Sequence, residues 1–106
     1  VLERRLDSAK TETIKIHDLE INRDAYTVFR GSDEVSLSRL EFELLYFLAS
    51  HVGKVYSRAS LLQRVWNNAI IKERTVDVHI RRLRKALGED YIETLKGVGY
   101  KFRAEN

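Results

Sequence analysis

RTVDVHIRRLRKAL, residues 74–87, is the most informative stretch of the 106-residue chain. Set on a helix at about 100° per residue, Val76, Ile80, Leu83 and Leu87 fall in one narrow stripe, which must turn toward a core. Arg74, Val78, Arg81, Arg82 and Lys85 are centred on the opposite side, with Thr75 at the margin. The helix is expected to begin near Glu73 and to stop at Gly88, a residue suited to the left-handed turn that ends helices.

A helix face that merely meets solvent usually balances its cations with acids about four residues away. Here only Glu73 and Asp77 are available, both near the N-terminal end where the helix dipole favours them. The remaining cations are uncompensated. Val78 sits among them, where water gives a β-branched apolar residue no reason to be but a thymine methyl group does. A face of this width and charge suits the DNA major groove, where guanidinium groups bridge O6 and N7 of guanine or bind phosphates.

Residues 92–102 follow with strand-like alternation and turn at Lys96-Gly97-Val98-Gly99. They return through Tyr100 and Phe102, which predicts a β-hairpin with Lys96 at its tip. A lone lysine on a hairpin is ordinarily only solubilising. Its position directly after a basic helix gives it a second contact surface on a duplex backbone or in a neighbouring minor groove.

Upstream, Ser57 caps a shorter helix whose inner face is Leu61, Leu62 and Val65, with Trp66 at its end, and residues 67–72 form a loop. Ser38-Arg39-Leu40-Glu41 is a capping box, flanked by Leu37 and Phe42 at the spacing of a hydrophobic staple. Behind it Leu40, Leu44, Leu45, Phe47 and Leu48 recur at helical spacing, so a helix is expected to about Ser50, ending before Gly53. Residues 13–36 carry short alternating apolar stretches, Ile14/Ile16, Leu19/Ile21 and Tyr26/Val28, which predict three or four antiparallel strands. Residues 1–12 open with a helix-like fragment and pass into small polar residues, the pattern of a preceding domain's last turn followed by a linker. One domain is expected over residues 13–106.

The charge is unevenly placed. Residues 1–53 hold 7 Lys or Arg against 10 Asp or Glu, a net −3, whereas residues 54–106 hold 12 against 6, a net +6. The basic half is the side for a polyanion partner. An apolar content of 43% supports one modest core. No apolar run approaches the ~20 residues that cross a bilayer; residues 42–49 come nearest and are interrupted by Glu43. A soluble chain without membrane contact is therefore expected, and a cytoplasmic location is compatible with it. Cysteine is absent, which removes disulfides, thiolate metal sites and thiol nucleophiles together. The chain lacks a starting Met and a secretory pattern, and reads as an excised piece of a longer protein.

Residues 74–87 followed by IETLKGVGY (92–100) resemble the DNA-binding domain of OmpR/PhoB-type response regulators. The resemblance extends through SLSRLEFELL (36–45), GKVYSR (53–58) and LLQRVW (61–66), nearly all of the chain after Thr13. VLERR (1–5) is similar to the last helical turn of the receiver domain that precedes such effector domains. The resemblance implies an α+β winged helix-turn-helix: an N-terminal antiparallel sheet, three helices and a C-terminal β-hairpin wing. It implies base contacts by Arg82 and Val78, with Thr75 and Asp77 nearby in the groove. Backbone contacts would come from Arg74, His79, Arg81, Arg84, Lys85, Trp66 and Tyr100, and the minor-groove wing contact from Lys96.

Further implied partners are double-stranded DNA with tandem half-sites, a second copy paired on DNA through the full-length protein, and RNA polymerase at the loop of residues 67–73. A sensor histidine kinase would act on the receiver domain. Two features depart from the family pattern: lysine stands at the wing position where arginine is more frequent, and the loop after Trp66 is short.

An enzyme requires a constellation of groups, and His17, His51 and His79 fall on different elements without ligand spacing. Gly97-x-Gly99 lies between two strands, not between strand and helix, so it makes no phosphate-cradling loop. Neither catalysis nor a metal or other cofactor is expected. Two alternatives keep the fold and change the role: a winged helix used only for protein contacts, and the DNA-binding domain of a membrane-anchored regulator lacking a receiver. The uncompensated cations oppose the first and the VLERR segment opposes the second.

Overall fold

A computed structural model of the chain describes residues 13–67 and 71–103. The linker expected at residues 1–12, and the middle of the loop after Trp66, lie outside the described residues. Strands β1 (Thr13–Ile16), β2 (Leu19–Asn22), β3 (Thr27–Arg30) and β4 (Asp33–Val35) form an antiparallel meander in chain order. Its register aligns Ile14, Ile21, Val28 and Val35 in one row across all four strands. Because successive side chains alternate between faces, this row supplies the sheet's apolar side, with Ile21 and Val28 fully buried.

Helix α1 (Arg39–Ala49) begins with both halves of the expected capping box. The Glu41 amide donates to Ser38 Oγ at 3.2 Å, and the Ser38 amide donates to Glu41 Oε1 at 3.0 Å. The buried face is Phe42, Leu44, Leu45, Leu48 and Ala49; Leu40 and Phe47, expected inside, are only partly buried. The face has rotated toward Phe42, whose ring stacks on Tyr26 at 4.5 Å and so joins α1 to the β2–β3 turn.

Ser57 caps α2 (Arg58–Leu61), its Oγ accepting from the Ser60 amide at 3.1 Å. The chain then widens into a π-helical turn, Leu62–Trp66, ended by Asn67 in the left-handed conformation with φ 56°. A regular helix was the expectation there. The wider turn shifts Val65 and Trp66 around the axis relative to an α-helix, and both pack against the core.

Helix α3 (Arg74–Leu87) buries the stripe read from the sequence: Val76, Ile80, Leu83 and Leu87 are at most 1% exposed. Gly88, with φ 121°, ends it. From across the molecule, Arg30 Nη1 donates to the Leu87 carbonyl oxygen at 2.5 Å and satisfies an acceptor that the helix end leaves open. The last elements, β5 (Ile92–Leu95) and β6 (Gly99–Phe102), form the expected hairpin. Tyr56, in the α1–α2 connection, pairs with Tyr100 in both directions, at 2.8 and 2.9 Å, so the hairpin is bonded to the body of the domain.

Candidate nucleic-acid interface

Burial of the aliphatic stripe turns the opposite side of α3 outward. Arg74, Arg81, Arg82 and Lys85 are exposed, with Val78 and Thr75 half-buried among them. Among the described residues, none of these four cations makes a hydrogen bond or ion pair within the chain. Four positive side chains on one face repel one another, an arrangement relieved by a polyanion.

The other basic residue of the helix behaves differently. Arg84 lies on the flank nearest the hairpin, where Nε and Nη2 donate to the Ile92 carbonyl oxygen at 3.1 and 2.9 Å. Its Nη2 also donates to Thr94 Oγ1 at 2.5 Å, and its guanidinium lies 5.9 Å from the centre of the Tyr100 ring. Asp77 is on the same flank. Its carboxylate accepts from Arg58 Nη1 at 3.1 Å and from the Tyr100 hydroxyl at 2.5 Å. Burial, reinforced by the bond to Asp77 and that carboxylate's charge, pushes the Tyr100 phenol up to about 12. Asp77, Arg84 and Tyr100, expected at bases or phosphates, are thus engaged with one another's surroundings in the free chain.

On the opposite flank, His79 Nδ1 lies 2.9 Å from the Thr75 carbonyl oxygen. A carbonyl only accepts, so Nδ1 carries the proton. The Trp66 ring meets His79 edge-on at 5.1 Å, which places the end of the π-helical turn against the helix flank. Lys96 is exposed at the tip of the hairpin, beside Gly97 with φ 77° and Val98 at 58% exposure. The structure therefore brings Arg74, Thr75, Val78, Arg81, Arg82 and Lys85 onto one surface, with Lys96 beyond one flank and Trp66 and His79 on the other.

Two residues of this region, Arg58 and Thr94, were not singled out in the sequence. A carboxylate on the flank of a basic helix calls for a partner, and that was the available signal for Arg58. Among the described residues, no group of three His, Cys, Asp or Glu could hold a metal ion, and no helix is long and apolar enough to cross a membrane.

A basic helix backed by two others and flanked by a hairpin is the winged helix-turn-helix, a class that presents one helix to the DNA major groove. Residues 32–102 match the family described as "Transcriptional regulatory protein, C terminal". The chain belongs to that family, as a DNA-binding domain of the OmpR/PhoB response-regulator type. It is 43% identical over 107 aligned residues to the phosphate regulon transcriptional regulatory protein PhoB of Shigella flexneri, covering 96% of this chain and 47% of the relative. PhoB of Rhizobium meliloti is 44% identical over 105 residues, with 94% and 46% covered. Thus the chain spans about half the length of the curated relatives it matches.

Solved structures agree in fold. The response regulator DrrB of Thermotoga maritima, an OmpR/PhoB homologue, superposes with a TM-score of 0.80 at 38% identity, over 97% of this chain and 49% of that one. The DNA-binding domain of RstA from Klebsiella pneumoniae, solved in complex with the RstA box, gives 0.77 at 33% identity, over 87% and 97%.

Proposed function

We propose that the chain binds promoter DNA by laying α3 in the major groove, with Arg82 and Val78 reading base edges and Thr75 beside them. Arg74, Arg81 and Lys85 neutralise phosphates along the groove walls, His79 and Trp66 approach the backbone from the α2 side, and Lys96 enters the adjacent minor groove. The observation that carries this reading is the set of four exposed cations, without partners among the described residues, on a helix whose other side is fully buried. The domain acts without catalysis, as the output half of a longer cytoplasmic regulator preceded by a receiver domain under a sensor kinase. Two copies occupy tandem half-sites roughly one helical turn apart, and residues 67–73 touch RNA polymerase.

Salt dependence tests the central step. Neutralising Z phosphates gives a log–log slope near −0.9Z, so four or five contacts give about −4. A slope close to zero, or no association with duplex DNA in dilute buffer, would assign the basic face to a protein partner instead.

A further inference from the structure

Asp77 and Arg84 stand seven residues apart on α3, two helical turns and about 10 Å along its axis, on the same flank. Both grip the hairpin at one place. Asp77 accepts from the Tyr100 hydroxyl, and Arg84 donates to Thr94 Oγ1, while Thr94 and Tyr100 are directly opposed cross-strand partners. The Tyr100 ring thus lies between a carboxylate at its hydroxyl and a guanidinium over its face. Arg58, from the first turn of α2, closes the cluster through its ion pair with Asp77 at 3.1 Å.

Arg58, Asp77 and Tyr100 line the same cleft as Lys96, Gly97 and Val98 of the hairpin tip, so the cluster sits between the base-reading helix and the wing contact. The backbone bridge between Tyr56 and Tyr100 bonds β6 to the α1–α2 connection, whereas the polar bonds between the hairpin and α3 run through the side chains of Asp77 and Arg84. Among the described residues, only this flank supplies polar bonds from α3 to the hairpin.

We infer that Asp77 and Arg84 are positioning residues: together with Tyr100, Thr94 and Arg58 they clamp the wing to α3, fixing the offset along DNA between the major-groove site and the minor-groove site. The inference rests on the reading of α3 and Lys96 given above. Asp77 then sets where the wing lands and does not read a base. A hairpin free to tilt would accept a range of offsets, whereas a clamped one accepts a single offset and rejects others.

The test uses the 106-residue chain and a set of duplexes in which the α3 target is constant and a narrow A-tract for Lys96 is moved one base pair at a time. The unaltered chain should favour one offset by roughly tenfold, the discrimination expected of one well-made contact. Asp77→Asn and Tyr100→Phe should flatten that preference to within about twofold while leaving base preference under α3 unchanged. Lys96→Ala should flatten it equally, and adding Asp77→Asn to Lys96→Ala should change nothing further.

The affinity ratio between two duplexes is insensitive to the folded fraction, so a purely structural role for Asp77 would scale all duplexes alike and overturn the inference. A changed preference at a single base pair under α3 would overturn it differently, by making Asp77 a reader. Loss of binding to every duplex by the unaltered chain would instead defeat the DNA-binding reading itself.

Discussion

Gly99 approaches Tyr56 so closely that no side chain fits between them: a Cβ on Gly99 would lie 2.0 Å from the Tyr56 carbonyl oxygen and 2.7 Å from its carbonyl carbon. The obstruction is backbone, and that backbone is held by two hydrogen bonds to Tyr100. Gly99→Ala must therefore break the bridge or displace the hairpin. The expected cost is at the upper end of the ~1–3 kcal/mol typical of overpacking, read as a lower urea midpoint. Gly97→Ala is the control. Nothing lies within 4 Å of a Cβ there, so only its left-handed φ of 77° is strained, for about 1 kcal/mol.

Arg82→Ala should lose ~1–3 kcal/mol of affinity for the preferred sequence and relax selection at one base position, because Arg82 is exposed on the outward face of α3 and, among the described residues, has no partner within the chain. Selection of bound sequences from random duplexes reads this directly. A uniform loss across all sequences would move Arg82 to the backbone. Lys96→Ala should cost less and reduce the salt slope by about one contact.

The sequence made α3 legible because amphipathic periodicity is a local signal: the same four residues give the stripe on a wheel and the buried side in the fold. Ser38 and Glu41 were equally legible, since a capping box is closed within four residues. The turn at Lys96 to Gly99 was too, where two glycines separate two alternating runs. What escaped was set by distance along the chain. Tyr56 pairs with Tyr100 and Arg58 with Asp77, and neither contact leaves a periodic trace. A wheel gives the direction of Asp77 and Arg84 but not what waits there, and it was the family resemblance that implied DNA contacts for both. The π-helical turn at Leu62–Trp66 had no sequence signal, because its residues satisfy an α-helical pattern equally well.

Arg30 donates to the last carbonyl of α3 from a strand 57 residues earlier, so one guanidinium joins the N-terminal sheet to the end of the reading helix. Arg30→Met keeps the apolar stem and removes the donor. The expected loss is about 1–2 kcal/mol, appropriate to a charged donor on a part-buried helix-end carbonyl. Amide hydrogen exchange should quicken at Leu87 and Gly88 before it quickens at Ile80. Equal acceleration along the whole helix would show that Arg30 contributes only to global stability.

Alkaline stability follows from two tyrosines. Tyr100 and Tyr91 both have phenols raised from the ordinary 10 to about 12, in each case mainly by burial and then by the hydrogen bond donated to a carboxylate, Asp77 or Asp18. A folded-state value above the unfolded one means that the contribution is fully present below pH 10, where both states keep the proton. Between pH 10 and 12 the unfolded chain ionises first, so stability falls as pH rises, and above 12 the contribution is lost. For Tyr100, only 9% exposed, the fall should be on the order of 1–2 kcal/mol. Unfolding the chain and its Tyr100→Phe variant in urea at pH 8 and pH 11 isolates the effect from other groups that titrate in this range. The variant should lose less stability over that interval than the unaltered chain. Equal losses would mean that the phenol titrates alike in both states, and that the Asp77 carboxylate does not hold its proton.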